Sequence, residues 1–204
     1  MKKLIEGIKL FRQKATPRQL QQFSILALEQ KPDALFIACS DSRVAPNLFA
    51  STDPGDLFVV RNVGNIVPQE AGSTSELAAI EFAVLTLKVK DIIVCGHSEC
   101  GAMHALLNED NKSNLPHLYT WLAEAHDSKE QFKKTAITFP ADLSLVNRLS
   151  QVNTLQQIEH LKKYSCVQEH LKTESLALHA WWFDIATAQV YAYQEEKRAF
   201  VEMR

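Results

Sequence analysis

The sequence predicts an α/β fold: a mainly parallel β-sheet of about four to five strands flanked by helices, with an N-terminal helical arm. Two observations carry that expectation. Short apolar runs at 35–38, 57–60 and 91–97 alternate with helical patterns, the arrangement of parallel strands joined by crossovers. Ahead of them, two amphipathic stretches precede Pro32.

Taken in order, Leu4, Ile5, Ile8 and Phe11 fall on one helical face. Thr16 then caps a second helix with Pro17 in its first turn, and Lys31-Pro32 ends it. Leu35 to Ala38 read as a short buried strand. After the turn signal "DPGD", "LFVV" at 57–60 is a second strand, bounded by the polar "RN". Ser73 to Glu76 have capping-box spacing, and Leu77, Ile80, Val84 and Leu87 make a stripe for a helix ending near Lys90. "DIIVCGH" at 91–97 is the third strand. From about 99 to 173 the pattern is mostly helical, and "SLALHAWWFDIATAQVYAY" offers two more strands turning near Asp184 to Thr187 at the sheet edge.

The 204 residues form one domain, with 1–31 as its arm, since no linker-like stretch divides them. Charges are scattered, 22 basic against 24 acidic, so no nucleic-acid surface is expected. The start "MKKLIEGIKLF" lacks the continuous apolar region of a signal peptide, and no run approaches a membrane span, so a cytoplasmic protein with no membrane partner is expected. In that compartment clustered cysteines point to metal binding or catalysis rather than disulfides.

The chemistry lies in "CSDSR" (39–43) and "CGHSECG" (95–101). Ligands of open α/β sheets gather outside the carboxyl ends of the strands, and both clusters stand at such ends. Cys39, His97 and Cys100 then supply two thiolates and an imidazole, a set that suits Zn²⁺, with the fourth position left to water or a carboxylate. A zinc ribbon would need paired C-x2-C elements, which are missing. A C-x5-R phosphatase would need arginine where Ala45 and Leu106 stand. Cys95 shares a strand face with His97 and offers a fourth thiolate, but within "IIVCG" it reads as core. Cys166 reads as helix packing, as do the six other histidines, 104, 117, 126, 160, 170 and 179, or as surface.

"CSDSR", "GDLFVVRN" and "GHSECGAM", in this order and spacing, resemble the β-class carbonic anhydrases, in their plant-type branch with bacterial members linked to cyanate metabolism. The resemblance implies one zinc per subunit on Cys39, His97 and Cys100, with Asp41 and Arg43 as the catalytic dyad. The ion pair with Arg43 would keep Asp41 off the metal and free to orient the nucleophilic water. It also implies a substrate pocket for carbon dioxide and bicarbonate: Gln30 as an amide donor reaching a neighbouring subunit, Phe58 and Val63 as apolar lining, Phe82 where the family usually has tyrosine, and Gly101 as main-chain donor to the dyad carboxylate. Ser75 and Ala180 stand where glycine is common.

Family members are dimers or higher assemblies embraced by N-terminal helices, so a homodimer or homotetramer is expected. Phe36, where the bicarbonate-regulated form has tryptophan, favours the form with an open zinc position. The activity implied is reversible hydration of carbon dioxide. Two rivals share the metal: hydrolysis of carbonyl sulfide or carbon disulfide, and a non-catalytic zinc-stabilised binding protein closed by Cys95 or Asp41.

Overall fold

The computed structural model describes residues 1–69, 74–108 and 113–204, which fall into two compact units, 1–31 and 32–204. The first holds α1 (Lys2–Lys14) and α2 (Pro17–Leu26). Thr16 caps α2 in a reciprocal capping box with Gln19, and Phe11 meets Phe23 edge to face. The helix stops at Leu26, ahead of the predicted end at Lys31-Pro32, so Gln30 lies outside it.

In the second unit the parallel strands β1 (Ala34–Cys39), β2 (Leu57–Asn62) and β3 (Asp91–His97) form as expected. β4 (Ala177–Asp184) joins β3 in parallel, and β5 (Gln189–Gln194) returns antiparallel from it. A sixth strand, β6 (Ala199–Glu202), pairs with β5, giving the order β2-β1-β3-β4-β5-β6. The sheet therefore exceeds the predicted four to five strands. The predicted hairpin does not form its edge, because four residues near the terminus carry too short an alternation to read as a strand.

Every residue of β1 is buried, as a strand covered on both faces requires. On one face Leu35, Ile37, Ile92 and Val94 pack with Ile80, Val84 and Tyr164; on the other Phe36, Ala38, Ile93 and Cys95 pack with Phe49 and Phe183. Short α3 (Pro46–Phe49) supplies Phe49, which stacks on Phe183 at 4.5 Å between ring centroids.

The predicted 73–90 helix is α4 (Ser75–Glu81) followed by a wider π-helical turn over Phe82–Leu87, ended by Lys88 in the left-handed region. Thr74 caps α4, accepting from the Leu77 N–H; the Ser73 half of the predicted capping box lies outside the described residues.

Beyond β3 come α5 (Gly101–Leu107), α6 (Pro116–Leu122), α7 (His126–Phe132), α8 (Leu145–Leu161) and α9 (Ser165–Lys172). Among the described residues no helix is long and apolar enough to cross a membrane. The face that α8 buries is largely polar: Ser150, Asn153, Thr154, Gln157 and His160 are all hidden. Buried polar groups must find partners, and these find main chain. The Gln157 side chain accepts from Val67 N–H, His160 Nδ1 donates to the Val67 carbonyl at 2.7 Å, and Tyr164 donates to the Pro68 carbonyl. The segment after β2, which has no strand neighbour, is thus held by side chains of α8 and of Tyr164 just beyond it.

Candidate metal centre and its cleft

β1 and β3 are adjacent and parallel, in register from Ala34 opposite Asp91, so Cys39 and His97 emerge from the same sheet end. Cys100 follows three residues later as the residue that precedes α5. The ligand atoms of Cys39, His97 and Cys100 all lie within 4.8 Å of one another, and all three residues are buried. Metal–sulfur bonds of about 2.3 Å and metal–nitrogen bonds of about 2.0 Å span such a set.

The donor chemistry fits a soft cation. His97 Nδ1 lies 2.9 Å from the Ser98 carbonyl, which can only accept, so Nδ1 carries the proton and Nε2 presents its lone pair. Nε2 is buried with no hydrogen-bond partner among the described residues. Leaving such an atom unsatisfied costs about 1–3 kcal/mol, and a metal removes that cost. The Cys39 thiol is held well below its ordinary range, first by the Cys100 thiol and also by His97 and the Gly64 N–H, which lies 3.4 Å from its sulfur. Cys100 is pushed up by the same shared proton and by burial.

The rest of the rim is as closely defined. Gly64 sits at φ +91°, and a β-carbon there would lie 2.9 Å from that of Ala102, so glycine is needed for the loop to bring its N–H to Cys39. Asn62 closes the loop from both sides, accepting from Ile66 N–H and donating to the Ile66 carbonyl at 2.8 Å each. Glu99 adopts φ +52°, a left-handed conformation costing about 1–2 kcal/mol for a side-chain-bearing residue. It is held there by its N–H bond to Asn147 Oδ1 at 2.7 Å and by Arg43 on its carbonyl at 3.1 Å.

Asp41 turns its carboxylate to Arg43 in a fork: Arg43 Nε to Oδ1 at 3.0 Å and Nη2 to Oδ2 at 2.8 Å, with the Arg43 main-chain N–H adding a 2.9 Å bond to Oδ1. This fork holds the carboxyl well below the usual range. Among the described residues the main-chain donor to Asp41 is therefore Arg43, and not Gly101 as expected, because the fork has already turned both oxygens to its own side. Cys95 is also placed: it is fully buried among Phe36, Ala38 and Phe183, its sulfur donates to the Gly96 carbonyl, and burial pushes its thiol up.

A cleft of about 270 Å³ opens beside the centre, lined by Cys39, Asp41, Val63, Gly101, Ala102 and Leu118 among others. Trp121 on α6 donates to the Val63 carbonyl at 2.8 Å, tying the helix that carries Leu118 to the loop that carries Val63. Of the predicted lining residues, Val63 and Gly101 are at this cleft. Phe58 and Phe82 instead lie against each other, ring centroids 5.9 Å apart, and do not line it. Gln30 belongs to the N-terminal unit.

Sequence reasoning gave no role to Arg61, Asn62, Gly64 or Leu118, nor to the polar side chains that α8 buries. Only the glycine, ahead of an asparagine, carried a local turn signal.

A mostly parallel sheet with a buried thiol–imidazole–thiol cluster at its carboxyl edge, opening on a cleft, is an α/β fold with a candidate metal site. The carbonic anhydrase family model matches residues 34–190. Over 206 residues the chain is 39% identical to a carbonic anhydrase of Pseudomonas aeruginosa, covering 100% of this chain and 92% of that protein. One from Synechococcus elongatus is 38% identical over 93% of this chain and 70% of its own length. The solved structure of the β-carbonic anhydrase CcaA superposes with a TM-score of 0.92 at 37% identity, covering 100% of this chain and 99% of that one. A structure from work on two tetrameric β-carbonic anhydrases of Sordaria macrospora gives 0.80 at 29% identity, covering 93% and 94%. The chain belongs to the β-carbonic anhydrase family, and so to the lyases of carbonate dehydratase type.

Proposed function

We propose that this protein catalyses the zinc-dependent, reversible hydration of carbon dioxide to bicarbonate and a proton, with Cys39, His97 and Cys100 holding one zinc per subunit. The observation that carries the reading is the unpartnered Nε2 of His97, buried beside two sulfurs while Asp41 is locked onto Arg43 and kept out of that donor set. Zinc bound there would supply a water more acidic than bulk water to act as the nucleophile. With zinc in place, Asp41 would be the acceptor that orients the nucleophilic water, and Arg43 the group that fixes the carboxylate. Val63, Ala102 and Leu118 give the cleft apolar walls, which suit an uncharged substrate. The position of Cys95 in the core and the engagement of Asp41 favour an open metal site over a closed, purely structural one.

Gln30 serves as an amide donor to the site of a neighbouring copy in a homodimer or homotetramer, with Phe58 and Phe82 as apolar pocket residues; the tetrameric relatives support such an assembly. A cytoplasmic location goes with it. The test is stopped-flow hydration of carbon dioxide by zinc-quantified protein beside Cys39→Ser. Activity that follows zinc content, and vanishes with it in the variant, supports the reading; zinc-loaded parent protein with no hydration activity refutes it.

A further inference from the structure

Arg61 stands near the end of β2, opposite Ala38 in the register with β1. The sequence marks it only as the polar boundary of a strand. In the structure its guanidinium turns to main chain: Nε and Nη2 donate to the Cys39 carbonyl at 3.0 and 2.9 Å, and Nη2 also donates to the Asp41 carbonyl at 2.7 Å. These acceptors flank Ser40, whose own N–H donates to the Asn62 carbonyl at 2.8 Å. Past Cys39 the β-ladder ends, and its carbonyls need other donors. The rigid fork of one arginine serves both from a fixed plane; a lysine's ammonium has donors for them but no such fork.

This matters because Cys39 and Asp41 carry different parts of the chemistry and are separated by one residue. The sulfur is anchored by its neighbours and the carboxylate by Arg43; the two peptide planes between them set where one stands relative to the other. Arg43 acts on the side chain of Asp41, and Arg61 acts on its carbonyl.

We propose that Arg61 is a positioning residue for the reaction: by holding the carbonyls of Cys39 and Asp41 it fixes the separation between the first thiol ligand and the orienting carboxylate. The inference rests on the carbon dioxide hydration reading. Displacing a positioned group by about 1 Å costs on the order of 100-fold in rate. Arg61 does not line the cleft, so its loss should act on kcat and spare KM.

The experiment uses full-length, zinc-loaded protein and the variants Arg61→Gln, Arg61→Lys, Asp41→Asn and Arg61→Gln combined with Asp41→Asn, with zinc content and thermal midpoint measured for each. Arg61→Gln should keep its zinc, lose roughly 10- to 100-fold in kcat and change KM for carbon dioxide less than about twofold. Arg61→Lys should recover part of the loss, and it also carries the test if Arg61→Gln does not fold. In the Asp41→Asn background Arg61→Gln should cost less than about threefold, because the two act as a unit.

A kcat for the glutamine variant within about twofold of the parent overturns the proposal, as does a full multiplicative loss in the double variant. If the parent itself does not hydrate carbon dioxide, the functional reading fails separately. Arg61 is then judged on cobalt-substituted protein, whose visible absorption should change with Arg61→Gln and not with the remote Lys162→Gln; identical spectra overturn the proposal.

Discussion

A β-carbon added to Gly96 would lie 2.3 Å from Oγ1 of Thr154, so β3 and α8 approach as closely as they do only because residue 96 has no side chain. Gly96→Ala should therefore destabilise the fold by about 1–3 kcal/mol, and lower zinc content as the adjoining His97 shifts. Urea unfolding of Gly96→Ala, alone and with Thr154→Ala, checks this: the second change should restore part of the loss. Equal midpoints for parent and Gly96→Ala would contradict the packing account.

Asp41→Asn should keep zinc and lose about 100-fold in kcat, since the amide fills the same space but no longer accepts at both oxygens. Metal analysis beside stopped-flow rates decides it. A variant that retained full turnover would remove Asp41 from the reaction.

The Asp41–Arg43 fork makes a prediction about acid stability. The carboxyl is depressed in the folded chain, so the stability it contributes is fully present above the ordinary aspartate value of about 3.9 and is lost as pH falls through the lower folded value. On zinc-free protein, the gap in urea midpoint between parent and Asp41→Asn should be widest near neutrality and narrow below about pH 4. A gap independent of pH would show that the fork does not set the carboxyl's affinity for protons.

The same depression removes Asp41 as the origin of any inflection near neutrality in the pH–rate profile. Two thiolates offset the charge of a zinc ion, so the nucleophilic water should be less acidic than in a three-histidine site, where its pKa is about 7. The rate should rise through neutrality and above. A flat profile from mildly acidic to alkaline pH would contradict this.

His160 is fully buried between the Val67 carbonyl and the Asp127 carboxylate. His160→Ala should leave the Val67 carbonyl without its donor, while Asp127 keeps the bond from Gln156, and cost about 1–3 kcal/mol, measured as a fall in thermal or urea midpoint. His160→Gln, which keeps one donor, should lose less.

The three parallel strands and the convergence of Cys39 with His97 were legible because continuous apolar runs ending in polar residues have few alternatives, and adjacent parallel strands bring their carboxyl ends together. β6 was not, being four residues long. The weight borne by α8 was hidden for another reason: Asn153, Gln157 and His160 carry no spacing signal of their own, and only the tertiary fold shows that they bond main chain. Arg61 was obscured in the same way, since a guanidinium at a strand end looks like a boundary until its acceptors are known. Phe58 and Phe82 could be given a role only by likeness to other proteins; each is otherwise an apolar residue on a strand or helix.

The stretch from Asn62 to Pro68 is irregular in outline, yet side chains from β2, α8 and the residues just beyond α8 engage it at Gly64, Ile66, Val67 and Pro68. Deuterium uptake should see it as part of the interior. Its amides at Ile66 and Val67 should resist exchange on the timescale of whole-molecule opening, so a map of labelling in solution would colour this connector with the central strands instead of with the surface turns it resembles by shape.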